Sequence, residues 1–102
     1  MLRKRRHDLA EATLKALDQS LAIIELDMSG TILRANGNFL DVTGYRSEDV
    51  VGQHHRIFLG KEAAASPEYT AFWDTLRSGA HFAGEFQRFG KNGKCIWLEA
   101  TY

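Results

Sequence analysis

Cysteine, proline, net charge and long apolar runs are all scarce in this chain of 102 residues. A single cysteine, Cys95, excludes an intrachain disulfide framework and any cysteine-based zinc cage. The 13 basic residues cancel the 13 acidic ones, so nothing in the balance calls for nucleic acid or an acidic membrane surface as partner. No apolar stretch approaches the roughly 18 residues that a membrane helix needs. No apolar segment of the secretory kind follows Met1, and the expected location is the cytoplasm. Catalytic signatures are missing too. There is no Gly-x-Ser-x-Gly elbow, no phosphate loop and no His-Glu-x-x-His pair, and acid pairs such as Glu48-Asp49 fall in capping positions. Enzymatic activity is not expected.

What is present reads as one ordinary domain. Hydrophobic residues make up 44% and charged residues 25%, which argues against wholesale disorder. A chain of this length buries roughly two-thirds of its unfolded surface, enough for one core. The charge is unevenly spread. Arg3, Lys4, Arg5 and Arg6 form one cluster, and without it 9 basic residues face 13 acidic ones, a net of −4. The cluster reads as a solvated helix end or as a contact for anionic lipid or nucleic acid.

Periodicity predicts a helix from His7 to Asp18, with a stripe of Leu9, Thr13, Ala16 and Leu17 widened by Leu14. The stripe can lie on the domain or pair with a second copy. Leu21 to Leu26 reads as a strand, Asp27-Met28-Ser29-Gly30 as a tight turn and Thr31 to Ala35 as the returning strand. Asn36 can cap a short helix running to Gly44, and Ser47 another from Glu48 to Val51. Ser66-Pro67-Glu68 is the strongest helix start, since it joins a preferred N-cap, a proline pre-shaped for the first turn and an acid facing the positive dipole end. Tyr69, Phe72, Trp73 and Leu76 then follow at i, i+3, i+4 and i+7 up to Gly79.

His81 to Phe89 and Lys94 to Tyr102 read as two long strands around Gly90-Lys91-Asn92-Gly93. Phe82, Gly84, Phe86 and Arg88 share one face, and His81 shares the other with Glu85. In the second strand Ile96, Leu98, Ala100 and Tyr102 oppose Cys95, Trp97, Glu99 and Thr101. If the first set faces inward, Trp97 faces outward, where it suits docking of the N-terminal helix or a second protomer. The fold class is α+β. The two hairpins are expected to join in one antiparallel sheet, with short helices over one face and a ligand-sized pocket between the layers.

This order, with these residues, resembles the PAS sensory domain. The resemblance runs from Gln19 to Tyr102. It rests on Asp27-Met28-Ser29-Gly30-Thr31-Ile32 with Ala35-Asn36, on Phe39 to Tyr45, and on Val51-Gly52-Gln53-His54-His55. Phe72-Trp73-Asp74-Thr75-Leu76-Arg77-Ser78-Gly79, and Gly90 to Gly93 before Trp97, complete it. Within the family the chain is most similar to PAS domains of bacterial chemotaxis and energy-taxis receptors, some of which carry flavin or haem and some nothing. The resemblance implies a sensory domain at 19–102, and the helix before it, 1–18, is expected to serve dimerisation and signal transmission. It also implies five strands in the order 2-1-5-4-3, so a last strand is missing here. That strand would follow Tyr102 or come from another chain.

The resemblance further implies candidate site residues. In flavin-binding aerotaxis receptors, positions matching Asn36, His55 and Trp73 border the pocket or belong to its motifs. Leu59-Gly60-Lys61-Glu62 stands where those receptors carry Arg-His-Pro. The light-sensing flavin domains offer Gly-x-Asn-Cys-Arg-Phe-Leu, similar to Gly52 to Leu59, but with His55 at the cysteine position. A cysteinyl-flavin photocycle is therefore not expected, while Arg56 can pair with a flavin phosphate. His54 or His55 is a candidate haem ligand, although as neighbours they make a poor metal pair. Each also has a plain structural reading, as do Trp73 on an apolar stripe and Arg56 as a surface charge. The expected function is a cytoplasmic signalling sensor that binds a small ligand or a cofactor (haem or FAD) and drives a downstream domain, acting as a homodimer through the N-terminal helix. The alternative is a cofactor-free dimerisation module whose aromatic interior packs solid.

Overall fold

A computed structural model describes residues 2–80 and 83–102; the predicted strand positions His81 and Phe82 lie outside them. The longest dimension is 53 Å against 30 and 24 Å for the others. The elongation comes from the first helix, α1 (Leu2–Ser20), because 19 residues at about 1.5 Å each span about 28 Å. It exceeds the predicted bounds at both ends, since no Gly or Pro stops it. The Thr13 and Ser20 hydroxyls bond back to the carbonyls of Leu9 and Ala16. Leu9, Leu17 and Leu21 are exposed.

Strand β1 (Ile24–Leu26) pairs antiparallel with β2 (Ile32–Ala35), placing Ile24 opposite Ala35. The turn between them is set by Asp27. Its carboxylate accepts the Ser29 and Thr31 N–H groups and the Ser29 hydroxyl, which holds it below the usual carboxylate range. Gly30 takes a φ of +89°, and a Cβ there would overlap the His54 ring.

Helix α2 (Gly37–Thr43) starts at Asn36 and ends at Gly44 in the left-handed region, as the sequence predicts. Helix α3 (Ser47–Val50) starts one residue earlier than expected. The Asp49 carboxylate reaches back to the Arg46 N–H, moving the cap to Arg46. A 3-10 turn (His55–Phe58) and the short α4 (Lys61–Ala64) lead to α5 (Pro67–Arg77), where the Ser66 hydroxyl accepts the Tyr69 N–H at 3.2 Å.

Strands β3 (Ala83–Phe89) and β4 (Cys95–Thr101) form an antiparallel hairpin in continuous register from Ala83↔Thr101 to Phe89↔Cys95. Gly90 lies so close to α2 that a Cβ would strike the Thr43 carbonyl, which fixes where this hairpin meets the first half.

The α+β class holds, with antiparallel strands and several short helices. The two hairpins, however, stand as separate two-stranded sheets. Each has satisfied one edge of its ladder. Between them runs a slot of about 770 Å³, walled by residues 21–24 and 26–28 on the first side and by Leu98 and Ala100 to Tyr102 on the other. The apolar core lies under the first hairpin. Ile32, Phe39, Val50 and Phe58 are buried together, with the Phe39 and Phe58 rings edge to face at 5.2 Å.

Candidate functional site

The segment after α3 runs beside the hairpin turn. The Ile32 N–H donates to the Gln53 carbonyl at 2.8 Å, and the His55 N–H to the Gly30 carbonyl at 2.8 Å. Thr31 and His54 form an isolated bridge. Extended backbone here sends neighbouring side chains to opposite sides. That is why His54 turns toward the hairpin tip while His55 enters the interior.

His55 is 1% exposed. Its Nδ1 lies 2.9 Å from the Tyr69 hydroxyl and its Nε2 3.2 Å from the Tyr102 hydroxyl. Phe72 stacks on the ring at 5.9 Å, and Phe58 and Trp73 meet it edge on. Burial pushes its pKa down to about 3, with the Arg88 and His54 charges acting in the same direction. The imidazole is therefore neutral at pH 7 and holds one proton. One tyrosine must donate to it while the other accepts.

Arg88, on β3, is 8% exposed. Its guanidinium lies 4.9 Å from the Phe86 ring centre and 5.7 Å from that of Tyr102, and it donates to the Gln87 carbonyl. Its Nε has no hydrogen-bond partner, and no salt bridge reaches it among the described residues. Two aromatic faces thus compensate a buried cation where a carboxylate would be usual. Trp73, 6% exposed, likewise buries an indole N–H that makes no hydrogen bond of acceptable geometry. Burial raises the Tyr69 phenol, and the adjacent Trp73 indole offsets part of that rise.

Two cavities flank this cluster. Trp73 and Tyr102 line the large slot with Phe39 and Leu98. A smaller cleft of about 240 Å³ is lined by His54, Arg56, Tyr69, Thr70, Trp73 and Arg77. Trp73 belongs to both.

His54, His55, Arg56 and Trp73 therefore come together. Asn36 stands apart. It is buried at the junction of α1 and β1, where its amide oxygen accepts the Ile23 and Phe39 N–H groups and its nitrogen donates to the Asp18 and Leu21 carbonyls. Asn38 donates to the Gln19 and Leu21 carbonyls nearby, and Arg34 pairs with Asp18 at 2.7 Å. These groups take up carbonyls that a helix C-terminus leaves without partners.

The sequence reading did not single out Tyr69, Arg88 and Tyr102 as site residues. Arg88 offered a signal, as a cation among inward-facing positions of its strand. The tyrosines offered none, because a hydroxyl on an apolar stripe predicts no particular partner.

The histidines do not fit axial ligation of haem. Both His55 nitrogens are hydrogen-bonded. His54 Nδ1 accepts the Arg56 N–H at 3.0 Å, and its Nε2 edge packs on Gly30. Neither ring lines the slot. A planar aromatic ligand such as an isoalloxazine suits the slot's aromatic and aliphatic walls better.

A family model described as the PAS fold matches residues 32–102. The chain is 45% identical over 87 residues to the biofilm dispersion protein BdlA of Pseudomonas aeruginosa, an alignment covering 85% of this chain and 21% of that protein. It is 26% identical over 84 residues to the aerotaxis receptor of Escherichia coli, covering 82% of this chain and 16% of the receptor. The chain thus spans about a fifth or less of these relatives. Among solved structures, the PAS domain of a Colwellia psychrerythraea protein superposes with a TM-score of 0.75 at 21% identity, covering 91% of this chain and 79% of that one, a likeness of fold. With the family model covering the chain from β2 through the helices to β4, the chain belongs to the PAS family.

Proposed function

We propose that this PAS domain is the cytoplasmic sensor module of a taxis-type signalling protein, and that it is not an enzyme. A small ligand or a flavin occupies the slot beside Trp73 and Tyr102, and the resulting repacking passes to α1 and to a downstream domain. The observation that carries this reading is the slot itself, about 770 Å³ of largely apolar space ending against a buried, hydrogen-bonded aromatic cluster. Such a cavity with a few convergent polar groups is what a small-molecule site requires. The Asn36, Asn38 and Arg34 clamp supplies the route to α1. A ligand shifts the packing only if it binds one arrangement better than the other. Bound flavin would supply redox chemistry; the chain's own residues supply the aromatic wall and the route out.

The slot also suits a fifth strand, as the family resemblance implies, pairing with the free edges of β1 and β4 and leaving a smaller chamber above. In this arrangement residues 1–18 transmit the signal and residues 19–102 receive it.

A cofactor-free dimerisation module is the second reading, favoured by the exposed leucines of α1 and by Trp97, which is 68% exposed on the outer face of β4. A UV–visible spectrum of freshly purified protein, expressed with flavin and haem precursor available, separates the two. A flavin band that weakens in Trp73→Ala supports the sensor reading with a cofactor. A bare spectrum, with no thermal shift from a metabolite library, supports the dimerisation module.

A further inference from the structure

The 3-10 turn that carries His55 is capped by an imidazole, where Ser, Thr, Asp or Asn is usual. His54 Nδ1 accepts the Arg56 N–H at 3.0 Å. That bond exists only while Nδ1 carries no proton. The ring's one proton therefore sits on Nε2, at the edge against the first hairpin turn, where the Ser29 carbonyl accepts it. Neutral His54 thus uses both nitrogens and stitches the hairpin turn to the 3-10 turn. The backbone follows the same route, since the His55 N–H donates to the Gly30 carbonyl and the Ile57 N–H to the His54 carbonyl. The ring is only partly buried and lines the small cleft, so solvent protons reach it.

The surrounding groups decide which form of the ring is preferred. The hairpin turn presents Asp27, which favours a proton on His54 but is already bonded to Ser29 and Thr31. The 3-10 turn presents Arg56 and the neutral His55. Helix α5 presents Tyr69, Trp73 and Arg77, the last held by Asp74 and the Met28 carbonyl. Desolvation first, and then the two arginines, keep the His54 pKa below its ordinary value. A proton on Nδ1 would face the Arg56 N–H, donor against donor, and turning the ring over would offer only carbon. Proton uptake and the closed contact therefore exclude each other, and acid draws the population to the open form.

We propose that His54 is a proton-sensing clasp, a second input to the domain besides any ligand in the slot: neutral, it holds the 3-10 turn and with it the His55 ring between Tyr69 and Tyr102, and protonated, it releases both. The input is separate because His54 does not line the slot. The output is shared, because His55 is the next residue in the chain and its ring bonds Tyr102 at the slot wall.

The full chain, labelled with ¹⁵N, is followed by NMR from about pH 7.5 to about pH 5. His54 should titrate with a midpoint below the ordinary histidine value. The Arg56 amide and the His55 ring nitrogens should move with that same midpoint, although His55, with its pKa near 3, takes up no proton in this range. Exchange of the Arg56 amide, corrected for its intrinsic pH dependence, should quicken roughly fivefold as the cap is lost. His54→Asn supplies a cap acceptor that does not titrate, and should keep the neutral-pH signals throughout. His54→Ala has no cap and should show the acid position of the Arg56 amide already at about pH 7.5. The proposal is overturned if His54 does not titrate in this range, if the Arg56 amide or the His55 ring ignores its titration, or if the response persists in His54→Asn. An acid loss of circular dichroism that His54→Asn shows equally also overturns it, because the change is then unfolding in which His54 has no part.

Discussion

The two halves of this domain are built on opposite terms. Under the first hairpin, Ile32, Phe39, Val50 and Phe58 make a dry apolar core whose polar neighbours are spent on backbone. Beside the second hairpin, the interior is a ring of aromatics around a neutral histidine and a cation, with two donors unpartnered and a slot along one side. The first half specifies one structure at low cost. The second keeps polar groups in play, which destabilises it unless something is bound, and that is the condition under which binding can change packing. If the contrast is real, injury to the first half should unfold the domain, and injury to the second should change its response.

The largest effect belongs to Phe58→Ala. Phe58 is buried between the Phe39, Tyr45 and His55 rings. Truncating a buried Phe costs about 3–5 kcal/mol, comparable with the whole stability of a small domain. Thermal unfolding monitored by circular dichroism should lose its cooperative transition. Phe86→Ala, in the half-buried second cluster, should keep it. Equal damage from both would break the comparison.

Asn36→Ala comes next, at about 2–4 kcal/mol. It removes an N-cap, worth about 1 kcal/mol, and strands the Ile23 N–H, at about 1–3 kcal/mol. Urea unfolding measures it. Asn36→Asp keeps the acceptor oxygen and loses the two amide donors, so it should fall between wild type and Ala.

The third test is pH. His55 is held neutral in the fold, with its pKa near 3 against about 6.5 when unfolded. Below about pH 6.5 the unfolded chain takes up a proton that the folded chain refuses. Stability should therefore fall as pH drops from about 6.5 toward 3, at up to about 1.4 kcal/mol per unit. Between about pH 6.5 and 4.5 the loss should reach about 2–3 kcal/mol. Urea midpoints across that range check it. His55→Phe should flatten the slope, leaving the weaker contribution of His54, which is shifted the same way. An unchanged slope would mean that His55 is not buried neutral.

The same contrast decides how much was legible in the sequence. Local signals were faithful: Ser66 caps α5, Asn36 caps α2, Gly44 closes it, and Trp97 faces out. Each depends on neighbours within a turn or on strand alternation. The expectation of one joined sheet did not follow, because pairing of β1 with β4 is non-local and no local pattern encodes it. The site was half legible. Motifs drew attention to His54, His55, Arg56 and Trp73, which do cluster. They could not show that His55 is bridged by tyrosines at 69 and 102, since the partners lie 14 and 47 residues away.

The smallest effect on stability, and the sharpest on assembly, is expected at α1. Leu9 and Leu17 are exposed on a helix whose C-terminal end is clamped to the domain. An isolated helix of this length is marginal in water, so an unpartnered stripe is a reason for α1 to find a second copy. Leu17→Glu should leave the urea midpoint within about 0.5 kcal/mol of wild type, as surface changes do. Sedimentation velocity should show it mainly monomeric where the parent associates. Trp97→Gln, on the outer sheet face, tests whether that surface joins the same contact. If only Leu17→Glu dissociates the protein, the helix stripe pairs with its own copy. If both do, α1 of one protomer lies across β4 of the other, and the signal would cross between protomers rather than along one. If neither does, the stripe is not an interface, and α1 acts only as the lever that Asn36 and Asn38 hold.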